Sequence, residues 1–336
     1  MHPSLPSVLL SVLKSAEHLL AEVLLLAARH ARWVLLGGLI LGLVFHQLAF
    51  LTRPGIPFFT ALLLMVASFR IGPAGLIGAL GQLRQHVVLT VLSQALLPIC
   101  LIVFLSVFGI SGWLVMPLLL VAAAAPISGA PNLVIMLGHK PAPALRQLVV
   151  GTALLPLTLI PVLMYLPEIG NVSVVVLTTG KLLLVILGAA CVGCALRLLP
   201  RWRDLDEQGA AKVDGASAIV MAMAVIGLMS GINEAFSASP SKLLLLLLFA
   251  FVLNIGLQVA GSFFWGRYFG AEYDVPMSVI SGNRNVALFL TALPVSVTEP
   301  LLAFIGCYQF PMYLTPLLMQ RLYKQKSQQK RRHLSD

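Results

Sequence analysis

An all-α polytopic membrane protein is the fold class this sequence predicts, and three observations predict it. Hydrophobic residues make up 59% of the 336 and charged residues only 10%, whereas a soluble domain carries roughly a quarter charged residues. Mean hydropathy is +0.97. Apolar stretches long enough for a membrane-crossing helix, about 17–25 residues, recur from Trp33 almost to the C-terminus. They lack the residue-by-residue alternation of a membrane β-barrel.

Residues 1–32 precede the first such stretch. Lys14, Glu17 and His18 interrupt their apolar run and the first residues carry no positive charge, so the expectation is a retained segment rather than a cleaved signal. Ser11, Lys14, Ser15, His18, Glu22 and Arg29 fall roughly on one helical face. That pattern predicts an amphipathic helix on the cytoplasmic interface or packed on the bundle. Ten spans follow, at 33–52, 56–76, 86–108, 113–137, 143–166, 172–198, 215–235, 241–265, 275–296 and 299–322. They divide into five-helix units over 33–166 and 172–322, with a basic tail at 323–336.

The net charge of +10 reports topology rather than a nucleic-acid partner. Of the lysines and arginines, Arg53 and Lys242 lie in odd-numbered connections, and Arg70, Lys181 and Arg284 lie inside spans. All the others sit in the termini or the even-numbered connections, which share one side of the membrane. The excess of positive charge puts both termini in the cytoplasm of a cell whose inner (plasma) membrane holds the chain. Cys100, Cys191, Cys194 and Cys307 all lie within spans; with no histidine or second pair beside them they suit helix packing rather than metal or redox chemistry.

A pattern repeats across the two units. Ser128-Gly129-Ala130-Pro131-Asn132 in the fourth span and Ser281-Gly282-Asn283-Arg284-Asn285 in the ninth both read SGxxN. The next span in each unit carries a proline pair at the same spacing, Pro156 with Pro161 and Pro311 with Pro316. The offsets are 153 and 155 residues, as duplication of a five-helix unit requires. Because five is odd, the second copy runs inverted. Glycine and proline in mid-span break helices. Freed backbone groups must be buried in protein or line a wet cavity, so paired breaks mark a transport site.

On these features the chain resembles the bile acid:sodium symporter family, whose superfamily shares ten helices in inverted repeats with crossed, broken fourth and ninth helices. The segment AAPISGAPNLVIML, 124–137, is similar to a family segment running from cysteine or proline through Gly-Gly-Thr-Ala-Ser-Asn. The match places Asn132 on the family's asparagine and Pro131 on the serine before it. Gln94 in SQALLP and Thr152 in VGTALLP match residues near the second and first sodium sites, and Asn285 matches an asparagine implicated in substrate contact. Two departures matter more. Ile280 stands where the family has the glutamate serving both sodium sites, and Arg284 where it has a sodium-coordinating glutamine. A guanidinium has no acceptor and repels a cation.

No other carboxylate takes the glutamate's part, because all twelve acids fall in tails, connections or span edges. No metal or cofactor is therefore expected. An arginine at membrane depth costs at least about 2.5–3.5 kcal/mol and marks a functional site by default. Two roles stand for Arg284: replacing the cation by donating to carbonyls of the broken helices, or pairing an anionic substrate through two hydrogen bonds. The remaining candidates are Ser128, Ser281 and Asn283 of the repeated motif, then Asn254, Gln258 and Ser262, at i, i+4 and i+8 on one face of the eighth span. Gln309, Tyr308 and Thr315 complete the set. Interhelical packing and substrate lining are both open to the eighth-span face.

The function these residues imply is secondary transport of a small organic anion by alternating access, without the family's sodium coupling. Two alternatives stand beside it: a non-transporting ligand-sensing or partner-binding subunit, and a sodium- or proton-coupled symporter with relocated ion ligands, for which Lys181, Glu234 and Glu299 are the titratable groups through which proton coupling could run. An intramembrane enzyme is disfavoured, because the sequence contains no DDxxD pair, GxSxG serine or HExxH helix.

Overall fold

The computed structural model describes residues 5–167, 169 and 171–324, and the side chains of 5–14 fall outside that description. The Ser11 and Lys14 side chains, Glu168 and the tail beyond Lys324 thus lie outside the described residues. Among the described residues every regular element is helical. The first stretch holds α1 (Leu5–Arg29), α2 (Ala31–Val44), α3 (His46–Thr52) and α4 (Ile56–Ala79). Next come α5 (Leu83–Thr90), α6 (Leu97–Val107), α7 (Val115–Ala123), α8 (Ala130–Met136), α9 (Ala142–Thr158) and α10 (Ile160–Tyr165). The rest of the chain forms α11 (Val172–Leu198), α12 (Pro200–Arg203), α13 (Glu207–Ala238), α14 (Pro240–Phe269), α15 (Asp274–Gly282) and α16 (Val295–Leu318).

Six helical runs are long and apolar enough to cross a membrane, or seven if Ser15–Arg29 and α2, which meet at 91°, count as one bent span. The chain is a multi-pass α-helical membrane protein. Leu184 on α11, Phe263 on α14 and Val107 on α6 are each more than 70% exposed. Such surface is favourable against lipid and unfavourable in water. The run His46–Val107 takes in two of the predicted spans and part of a third. In contrast α7, α8 and α15, of 9, 7 and 9 residues, are each too short to cross alone.

Local chemistry sets several boundaries. Asn171 caps α11 by accepting from the Ser173 N–H at 2.9 Å, and Asp206 caps α13 by accepting from that of Gly209 at 2.7 Å. Gly72, with φ of 68°, and the following Pro73 kink α4. Between helices, small residues replace the hydrophobic force that lipid does not supply. A Cβ on Gly42 of α2 would lie 2.8 Å from the Ile226 carbonyl of α13, and one on Gly231 of α13 would lie 2.7 Å from the Ala303 nitrogen of α16. Asn233 of α13 reinforces the first crossing by donating to the Gly42 carbonyl at 3.0 Å.

Candidate functional site

Two proline-directed breaks and one glycine-directed break supply the backbone of the site. Pro126 disfavours the helical conformation of the residue before it, and the chain leaves α7 at Ala124 in extended geometry, φ −64° and ψ 148°. It re-enters helix at α8, where Pro131 suits the first turn. At the second SGxxN motif α15 ends at Gly282, and a 3-10 turn, Val286–Thr291, begins after Asn283–Asn285. Only glycine fits at 282, since a Cβ there would collide with the Asn254 carbonyl of α14.

The two non-helical stretches lie against each other antiparallel, with Pro126 opposite Arg284. Ile127 donates to the Asn283 carbonyl at 3.0 Å and Asn285 to the Ala125 carbonyl at 2.8 Å. Both bonds flank the Pro126–Arg284 pair, so this is a non-hydrogen-bonded position and the missing proline N–H costs nothing there. Each break thus satisfies part of the other's backbone in a setting where no water from lipid is on hand.

A third break comes from Pro98. It has no N–H to offer and its ring crowds the carbonyl four residues earlier, and ahead of it Val91–Leu96 forms a π-helical turn. In that turn the Leu97 N–H bonds to Leu92 O, which leaves the Ser93 carbonyl without a ladder partner. Arg284 collects the carbonyls freed in this way. Only 1% exposed, it donates through Nε to Ser281 O at 3.1 Å, through Nη1 to Ala124 O at 3.0 Å and through Nη2 to Ser93 O at 3.3 Å. Among the described residues no carboxylate pairs with it. The compensating charge is the partial negative end of interrupted helices.

Polar residues behind the second break hold it in place. The Gly282 carbonyl accepts from Asn254 Nδ2 and from the Tyr308 hydroxyl, the latter at 2.6 Å. Gln258 donates to Asn254 Oδ1 at 2.8 Å and to Thr315 Oγ1 at 3.1 Å, and accepts from Tyr323 at 3.2 Å. Asn283 donates to Val279 O at 2.8 Å, and Ser281 accepts from the Trp265 indole at 2.8 Å. The eighth-span face predicted from sequence therefore packs, through Asn254 and Gln258, onto the break.

A small cavity of about 40 Å³ adjoins the crossing, room for a few waters at roughly 10–15 Å³ each. On one side stand Ser128, Arg284, Asn285 and Gln309, all predicted site residues. Thr60 and Leu63 of α4 and Met221 and Leu228 of α13 face them. This second wall was not anticipated; it comes from helices whose sequence reads as ordinary lipid-crossing or packing helix. Asn132 is exposed on α8 and is not part of the lining. Gln94 and Thr152 are buried on the π turn and α9, with Gln94 Nε2 2.5 Å from where a Gly151 Cβ would stand. Among the described residues neither amide atom of Gln94 has a hydrogen-bond partner, nor does the Ser93 hydroxyl. Ile280 is fully buried in apolar surroundings. No family model and no curated protein matches the chain.

Proposed function

We propose that this protein is a secondary transporter of a small organic anion, built like the bile acid:sodium symporter family but with the Arg284 guanidinium in place of the bound cation. One observation carries the reading: a fully buried arginine ties together three helix breaks and also lines the cavity beside them. Three of its five N–H groups are committed to carbonyls. One on each terminal nitrogen is left, the fork that a carboxylate or sulfonate matches.

Ten spans in two inverted repeats remain our reading of the topology. Residues 83–107, 115–136 and 142–165 then correspond to 240–269, 274–291 and 295–318. Ion pairs agree with the sidedness drawn from charge. Arg53 meets Glu234 at 2.6 Å and Glu299 at 3.0 Å, all three assigned to the outer face, and Arg70 meets Asp214 at 3.0 Å, both assigned to the inner. A cavity walled by α4 and α13 on one side and by the crossing on the other suits alternating access, in which one body moves against the other around a fixed site. At about 40 Å³ it has room for a few waters, and taking up an organic anion requires the two walls to part.

The test is uptake of a panel of carboxylates and sulfonates into liposomes holding the purified protein. Saturable uptake that is indifferent to replacing sodium with choline, and lost in Arg284→Gln, supports the proposal. Binding without flux points to a sensor, and steep sodium dependence to a symporter with relocated ligands.

A further inference from the structure

A second buried polar cluster lies apart from the crossing, at the start of α5. His86 is fully buried, and its Nδ1 sits 3.0 Å from Gln147 Oε1 of α9. The amide nitrogen of Gln147 donates to Thr90 Oγ1 at 2.8 Å, and Thr90 gives its single proton to the His86 carbonyl at 2.8 Å. These bonds fix the direction of the chain. Thr90 has no second proton for the amide, so the amide presents nitrogen to Thr90 and oxygen to the ring. Nδ1 therefore carries the hydrogen in the neutral ring, and Nε2 presents a lone pair. Among the described residues that lone pair has no partner, an exception among buried polar atoms that calls for an explanation.

Its surroundings come from both halves of the chain. The Tyr273 ring, just ahead of α15, lies 5.8 Å from the imidazole. The Tyr273 hydroxyl donates to Gln82 Oε1 at 3.1 Å, and Arg146 of α9 donates to the same oxygen. Arg146 and Glu272, opposite in sign, are the charged groups acting on the ring from the neighbouring elements; Arg84, on the imidazole's own helix, is exposed. Among the described residues the buried polar and charged side chains include no Asp or Glu. A proton travelling with a substrate thus has no buried carboxylate to use, and imidazole is the side chain whose ordinary titration falls near neutral pH.

We propose that His86 is a proton-binding site, taking a proton from water onto Nε2, and that this proton is coupled to anion movement. Uptake turns the unpartnered acceptor into a donor and places a positive charge where α5, α9 and the lead-in to α15 meet, so those elements rearrange with the protonation state. The coupling rests on the transporter reading; the proton site does not.

The experiment follows the ring nitrogens of ¹⁵N-histidine-labelled protein in lipid nanodiscs from about pH 5 to 8, with His86→Asn identifying the signal. Asparagine keeps a donor toward Gln147 and removes the basic nitrogen. Expected are a neutral form protonated on Nδ1 and a titration of Nε2 within that window. Gln147→Glu, which sets a carboxylate against Nδ1, should displace the titration by about one unit or more, and identifies the signal should His86→Asn fail to fold. An Nε2 signal unchanged across the window overturns the site. In liposomes, an inward proton gradient should speed anion uptake, and His86→Asn should remove the acceleration while leaving anion binding intact. Titration with uptake indifferent to the gradient overturns the coupling. Absence of any uptake overturns the transporter reading and the coupling with it, and leaves the nitrogen titration to decide the proton site.

Discussion

At position 284 one guanidinium holds three backbone carbonyls, and its geometry makes the substitution series informative. Lysine keeps the charge but offers a point rather than a fork, so Arg284→Lys reaches one of the three carbonyls and strands the others. Hydrogen bonds to a charged group contribute about 1.5–3 kcal/mol each, and the variant should lose at least about 2 kcal/mol of stability in thermal unfolding while anion uptake falls to background. Gly282→Ala probes the same crossing from behind, driving a methyl into the Asn254 backbone. Overpacking of this kind costs about 1–3 kcal/mol, and a melting temperature equal to the parent's would show that α14 yields freely there. Arg284, Ser128, Asn285 and Gln309, which line one cavity, could be picked out of the sequence because a charge, a repeated motif or a polar group in an apolar run stands out of its background. Asn132 carried the same kind of signal and faces outward from α8, since a motif gives a position along the helix and not the direction of the side chain.

At the level of elements, prolines write two of the breaks and a glycine the third, and the two in the repeated motif fall at unequal places within it. In the first copy the break precedes and includes Ser128-Gly129, because Pro126 ends one helix and Pro131 helps start the next. In the second copy Ser281-Gly282 closes α15 and the break comes after it, at Asn283–Asn285, where no proline intervenes. Periodicity located α11 well, predicted at 172–198 and found at Val172–Leu198, since a long apolar helix bounded by Asn171 and Pro200 has little freedom in its ends. The π turn before Pro98 escaped notice although its signal was present in SQALLP: a mid-helix proline also unpairs carbonyls upstream, and one of these became an Arg284 ligand. Pro98→Ala tests that link. The new N–H competes for the carbonyls that Pro98 leaves free, so uptake should fall several-fold while stability stays within about 1 kcal/mol, the size of one net hydrogen bond. Unchanged uptake would detach the π turn from the site.

Across the whole molecule, the cavity lies between α4 and α13 on one side and the crossed breaks on the other, and the elements that close it are tied at one end by Arg53. That side chain joins Glu234 at the end of α13 to Glu299 near the start of α16. Glu234 and Glu299 are 46% and 60% exposed, so each pair adds at most about 1 kcal/mol to folding stability. The same energy is large for a two-state equilibrium, where 1.4 kcal/mol changes a population ratio about tenfold. Arg53→Gln should therefore leave the melting temperature nearly unchanged and shift the protein toward the state open on that face. Ser128 lines the cavity and is only partly exposed, which makes it a reporter. In a background with Cys100, Cys191 and Cys194 replaced by alanine, Ser128→Cys should react slowly with a membrane-impermeant methanethiosulfonate, because the reagent is too large for a space of about 40 Å³. Adding Arg53→Gln should raise the labelling rate from the face that carries the arginine severalfold, and a bound anion should suppress it. Equal rates with and without the arginine would mean that its ion pairs decorate the surface and that opening is controlled elsewhere.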